Sequence, residues 1–184
     1  KDIVEYVTTP VAPYNVPEKL MNSYAGWYYS PRTGIGLRLF VRDGKLVSNR
    51  SGDLVPLSEN LFQLGANKVK ISTAAPKHLL LITSTDSNYY AAMDSGSTNE
   101  KYLKEFTGKY YSDEAATSFE VKFKKGRLIL HRGPTTDIAM GPSYKDGFDS
   151  NAGSLRFERT KSGEVTGFNV YVGRARNVQF KKIR

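Results

Sequence analysis

The 184-residue chain predicts an all-β fold of two tandem antiparallel up-and-down β-barrels, each preceded by a short helical turn. Three observations predict it. The composition favours strands and turns, with 12 Tyr, 9 Phe and 16 Gly. Short runs of alternating apolar and polar residues recur, and no long amphipathic helix interrupts them. The chain also repeats itself: "EKLMNSYAGWYYS" (Glu18–Ser30) returns as "EKYLKEFTGKYYS" (Glu100–Ser112), every residue displaced by 82 positions.

Residues 1–17 read as an extended lead-in or linker. Pro10, Pro13 and Pro17 forbid a continuous helix there, because proline lacks the N–H and clashes with the preceding turn. The chain begins at Lys1 rather than Met, which reads as a processed protein or an excised segment. The first repeat is assigned to residues 18–95 and the second to 96–184. Asn15 with Glu18, and Ser97 with Glu100, have the spacing of a capping box, so each copy is expected to open with a capped helical turn. Gly26 and Gly108 are expected to stop those turns before the strands "WYYS" and "KYYS".

The match continues through one hairpin. "LRLFVRDGKLV" (Leu37–Val47) aligns with "FEVKFKKGRLI" (Phe119–Ile129) at the same spacing. Leu37, Leu39 and Val41 alternate with Arg38, Phe40 and Arg42, the period of a strand with one buried face. Glycine in "RDGK" and "KKGR" supplies the positive φ of a tight turn. Beyond it the copies drift. The first runs through "DLVPLS", "LFQLG", "KVKIST", "HLLLITS" and "NYYAAM". The second runs through "TDIAMGPS", "GFDSN", "SLRFERT", "VTGFNVYV" and "NVQFKKI". Seven or eight short strands per copy are enough to close a small barrel. "MDSGSTNE" (Met93–Glu100) is the junction. It is short, so the units are expected to pack firmly together; the rival is one larger β structure holding both copies.

Charge and motifs narrow the chemistry. Net charge is +9 and uneven, with 10 Lys/Arg against 8 Asp/Glu in residues 1–94 and 17 against 10 in residues 95–184. A positive excess attracts anionic partners, but no long basic run, recognition helix or RNA-binding signature accompanies it, so no nucleic-acid partner is expected. With no Cys there are no disulfides, thiolate metal sites or Cys nucleophile. No apolar run is long enough for a transmembrane helix. His78 and His131 stand 53 residues apart, outside any HxH or HExxH context, so no metal site is expected and both read as structural. No GxSxG, SxxK, Walker A or GxGxxG sequence occurs. "TGIG" (Thr33–Gly36) reads as the flexible end of a strand. Trp27, Tyr28, Tyr29, Tyr89, Tyr90, Tyr110 and Tyr111 could line a pocket, although small barrels are filled by their own side chains. No catalytic residue and no cofactor are assigned.

The opening phrases, together with "DGKL", "KGRL" and the closing "LRFERTKSGEVTGFNVYV" (Leu155–Val172), resemble the lipocalin-like β-barrel domains that follow the catalytic domain of β-lactamase-related serine hydrolases. These are of the peptidase S12 type, the D-aminopeptidases among them, and some carry two barrels in tandem. The resemblance spans residues 18–184; the first copy lacks the closing phrase. It implies a non-catalytic accessory module whose partner is an upstream serine hydrolase domain of the same polypeptide. It also implies a bacterial periplasmic or other extracytoplasmic setting, with the cytoplasm left open. In such proteins a barrel loop can restrict the active site. The candidate here is "GPSYKDGFDSNAG" (Gly141–Gly153), with Tyr144, Lys145, Asp146, Phe148 and Asp149 as its gating residues; the plainer reading is a hairpin connection. Two alternatives stand beside this. One is a freestanding lipocalin-like protein that binds a small apolar ligand or a polyanionic cell-envelope polymer. The other is a hydrolase built on His131 or His78.

Overall fold

A computed structural model describes residues 14–133, 135–173 and 175–183. Most of the expected lead-in, residues 1–13, lies outside the described residues. The first copy comprises α1 (Glu18–Tyr24), β1 (Gly26–Ser30), β2 (Ile35–Arg42), β3 (Lys45–Ser48), β4 (Gly52–Asp53), β5 (Val55–Pro56), β6 (Leu61–Leu64), β7 (Asn67–Ser72), β8 (His78–Ile82) and β9 (Ser87–Met93). The second comprises α2 (Glu100–Lys104), β10 (Gly108–Ser112), β11 (Thr117–Lys124), β12 (Arg127–Arg132), β13 (Thr136–Pro142), β14 (Gly147–Ser150), β15 (Gly153–Arg159), β16 (Val165–Val172) and β17 (Ala175–Ile183).

Strands β10 to β17 form a closed antiparallel barrel, each pairing with the next and β17 returning to β10. The first sheet runs β4-β3-β2-β1-β9-β8-β7-β6-β5. Its ends, β4 and β5, are one chain run broken at Leu54, whose N–H donates to the Leu46 carbonyl at 2.8 Å. That bent run hydrogen-bonds β3 with its first half and β6 with its second, so this barrel is nearly closed. The two copies build separate sheets, which removes the single larger β structure as an alternative.

Turn chemistry follows the sequence. Asp43 and Gly44 (φ 51° and 69°) and Lys125 and Gly126 (φ 49° and 78°) are each a pair of left-handed residues, the signature of a two-residue type I′ hairpin. Capping departs from expectation. α1 begins after Pro17 and no side chain caps it, so Asn15 lies outside the helix. In α2 the cap is Asn99, whose side chain accepts from the N–H groups of Lys101 and Tyr102; Ser97 sits one step further out and accepts from the Asn99 N–H. Both helices start too late for the capping-box assignment. Gly26 and Gly108 do not stop helices that have already ended. With φ of 139° and 144° they open β1 and β10 in a conformation L-residues resist.

The repeated motif has a structural meaning. The Tyr28 hydroxyl donates to the Tyr24 carbonyl at 2.6 Å, and the Tyr110 hydroxyl donates to the Phe106 carbonyl at 2.6 Å. Each tyrosine reaches back from the strand to a carbonyl that the short helix leaves unpaired, and so ties helix to barrel. A lysine completes each corner. Lys77 Nζ donates to the Ala25 carbonyl and lies over the Tyr28 ring; Lys182 Nζ donates to the Glu105 carbonyl and lies over the Tyr110 ring. Desolvation lowers the pKa of both amines.

The interiors are filled. Tyr28, Leu39, Leu46, Phe62, Val69, Ile71 and Leu79 pack the first. In the second, Phe106, Tyr110, Phe148, Phe157, Phe168 and Phe180 form a continuous aromatic network with ring centroids 4.7–5.9 Å apart. Phe168 touches Tyr110, Phe157 and Phe180 and is fully buried. Replacing it with Ala is expected to cost about 3–5 kcal/mol in urea denaturation, because the surrounding rings cannot collapse into the space.

Burial also dominates the tyrosines. It pushes the Tyr102 hydroxyl up to about 12, and raises those of Tyr28 and Tyr110 further. A raised tyrosine pKa stabilises the fold fully below the unfolded value near 10, and that stability is lost as pH rises through the folded values. Alkaline titration is therefore expected to show exposed tyrosines ionising first. A late step in tyrosinate absorbance should coincide with loss of the strand circular dichroism above pH ~11. A smooth titration with the fold intact would contradict this account.

Candidate functional site

The most specific constellation lies between the barrels. The first barrel presents the outward face of β1 and β2. Gly34, in the turn before β2, has φ 68°, and a side chain there would strike the Tyr171 ring, with Cδ1 1.9 Å from an ideal Cβ. Two residues on, a Cβ at Gly36 would meet Tyr144 Cε1 at 2.7 Å. On its other side the Tyr144 ring rests on Gly147, where a Cβ would come within 2.5 Å. The ring thus fills a slot made by one glycine from each barrel. Trp27 meets it edge-on at 6.2 Å and Tyr29 at 5.1 Å. "TGIG" is a seat for two tyrosines rather than a flexible strand end.

Backbone pairing fixes the same seam. Ser95 and Tyr144 form an isolated antiparallel bridge, with the Gly96 N–H donating to the Ser143 carbonyl at 2.9 Å and the Lys145 N–H to the Asp94 carbonyl at 2.8 Å. The junction is therefore pinned to the β13–β14 turn, as its shortness predicts. Arg50 donates through Nε to the Gly36 carbonyl at 2.7 Å and reaches Asp149 at 3.7 Å. That ion pair is half-exposed and contributes little beyond orientation.

The five residues of the expected gating loop fall mostly within this packing. Tyr144 is buried in the seam, and burial raises its pKa. Phe148 is a core residue of the second barrel. Asp146 takes the turn's positive φ of 63°, accepts from the Tyr102 hydroxyl at 3.1 Å and pairs with Arg159. Asp149 lies on β14 and pairs with Arg50. Only the Lys145 side chain of the five is exposed. The segment is a hairpin connection whose tip docks on the first barrel.

Two grooves flank the seam, with Tyr171 lining both. One, of about 610 Å³, includes Thr33, Asn49, Arg50, Asp149, Asn151 and Ser154. The other, of about 600 Å³, includes Tyr29, Arg156, Glu158, Arg159 and Asn169. Arg156 lies over the Tyr29 ring at 4.1 Å, and the Tyr29 and Tyr171 hydroxyls are 3.4 Å apart. Residue reading alone assigns neither groove. The one signal available was divergence between the copies, at Trp27 against Lys109, Gly34 against Ala116 and Gly36 against Ser118.

The remaining aromatics divide by location. Tyr28, Tyr90 and Tyr110 are core, while Tyr89 and Tyr111 are exposed. Both histidines make local contacts. His78 stacks on Tyr89 at 5.2 Å, and its Nδ1 is 2.8 Å from the Pro76 carbonyl. His131 Nδ1 is 2.6 Å from Asp137 Oδ1, and Lys124 Nζ donates to Asp137 Oδ2 at 2.8 Å. Lys124, then His131, hold the Asp137 carboxyl below the usual carboxylate range. Among the described residues no serine or threonine hydroxyl is hydrogen-bonded to His131, and no group of three metal-ligating side chains occurs. Among the described residues no helix is long and apolar enough to cross a membrane.

No family model matches the chain, and no curated protein matches it.

Gly36 takes no positive φ, so Gly36→Ala tests the slot by bulk alone. The substitution is expected to cost about 1–3 kcal/mol, as overpacking does. Trp27, the single Trp, stands beside Tyr144 and should report a red-shifted emission while the barrel circular dichroism is retained. Unchanged emission and stability would show that Tyr144 does not depend on this seat.

Proposed function

We propose that the chain is a non-catalytic accessory module, two rigidly joined barrels that pack on a catalytic domain and restrict access to it. The observation that carries this reading is the pair of filled interiors. A barrel that holds a small apolar ligand needs an internal cavity of a few hundred Å³. Here the second barrel's axis is occupied by stacked phenylalanines, with Phe168 and Phe180 rings 4.9 Å apart. What the module offers a partner is its outer surface and a fixed mutual placement of its two halves. The slot around Tyr144 supports that fixed placement, because displacement would expose buried aromatic area.

The partner is read as a β-lactamase-related serine hydrolase domain of the same polypeptide, on the resemblance of the "YAGWYYS", "FTGKYYS" and Leu155–Val172 phrases. An extracytoplasmic setting goes with that reading. Lys145, exposed at the seam's rim, is the residue of the β13–β14 turn through which the module would touch substrate.

The open reading frame upstream of Lys1 tests this directly. It is expected to encode a domain with an SxxK nucleophile motif. The joined protein should hydrolyse chromogenic esters or aminoacyl anilides, the chain alone should not, and removing the barrels should broaden the range of accepted acyl groups. A complete gene that starts near Lys1, or hydrolysis by the chain alone, would overturn it.

A further inference from the structure

The groove that contains Arg156 carries an unmet chemical demand. Most of its charges are matched internally. Arg159 donates to Glu105 Oε2 at 2.7 Å, to Asp146 Oδ1 at 2.9 Å and to the Gly163 carbonyl at 2.7 Å. Asp146 also accepts from Tyr102. Arg156 differs. Among the described residues it forms no ion pair and no hydrogen bond, and its only specific contact is the face of Tyr29 at 4.1 Å. A guanidinium held against a ring keeps its N–H donors, which lie in its own plane, for a further partner.

Beside it stands an unmet acceptor. Asn169 is opposite Arg156 in the β15–β16 register and only 8% exposed. Its Nδ2 donates to Glu158 Oε1 at 2.7 Å, which fixes the amide's orientation, since the reverse would set oxygen against carboxylate. Its Oδ1 is then buried with no partner. A buried unsatisfied acceptor is costly, and here it is the cost of presenting Nδ2 to Glu158. Glu158, held by that amide, brings a carboxylate to the groove, which favours a ligand group that is cationic.

We propose that this groove binds a small zwitterion, a carboxylate with an ammonium group a few bonds away, as in a free amino acid or a short unblocked peptide. The carboxylate lies on the Arg156 fork, and the ammonium donates to the Glu158 carboxylate. The Tyr29 and Tyr171 hydroxyls form the rim. This site is independent of the accessory role, because the first barrel contributes Tyr29 and Pro31 and the second contributes the rest, all within this chain.

Calorimetric titration of the whole chain with glycine and with glycylglycine tests it, with glycinamide and N-acetylglycine as halves of the charge pair. Both half-ligands are expected to bind at least ~10-fold more weakly than the better zwitterion, because each forfeits a charge-assisted contact. Which zwitterion binds tighter identifies the source. Arg156→Gln should abolish binding while Trp27 emission shows the seam intact. If that variant opens the seam, competition on the unaltered chain decides, and each half-ligand must fail to displace the zwitterion at equal concentration. The proposal is overturned if neither zwitterion binds at ~10 mM. It is also overturned if N-acetylglycine, glycinamide or inorganic phosphate binds as tightly, or if folded Arg156→Gln binds as well as the unaltered chain.

Discussion

The Tyr144 ring occupies space that exists only because two residues have no side chain. Gly36 of the first barrel and Gly147 of the second both leave room for it, and neither tolerates a Cβ without displacing the ring. Much else in the molecule follows from that slot. It buries Tyr29 and part of Trp27, and sets the β13–β14 turn against the 94–96 junction. Close packing makes such a contact discrete, since a ring either fits the slot or does not.

Strand architecture was legible because it depends on local rules. Alternation in Leu37–Arg42 and the glycines of the two hairpins act over a few residues, and a common offset checked each reading against a second copy. The helix caps misled because the same logic was applied two residues too early. Pro17 at the start of α1 and Asn99 at the start of α2 are equivalent positions with unlike residues, and only the backbone shows where each helix begins.

The seam was not legible, and the reason is physical. Tyr144 and Gly36 are 108 residues apart and belong to different sheets, so no periodicity links them. Their trace was a mismatch between otherwise matching copies. Tyr29 and Tyr111 are equivalent in the repeat, yet the first is 4% exposed and the second 41%. A residue can keep its identity while its partner changes, and such a residue carries no signal at all. The Arg156 groove is hidden in the same way, since it is completed by Tyr29 from the other barrel. The expected gating residues fall at the seam. The segment matters, but its tip is spent on holding the chain together.

The join between the barrels is head-to-tail, with unlike surfaces meeting, and such contacts can repeat without limit. Here the repetition has a stop. The face of the second barrel that corresponds to the receiving face of the first carries Lys109 where the other has Trp27, and Ala116 and Ser118 where the other has Gly34 and Gly36. A charge and two added side chains leave no seat for another tyrosine pair. Within the repeat, the receiving seat is therefore built on one copy only.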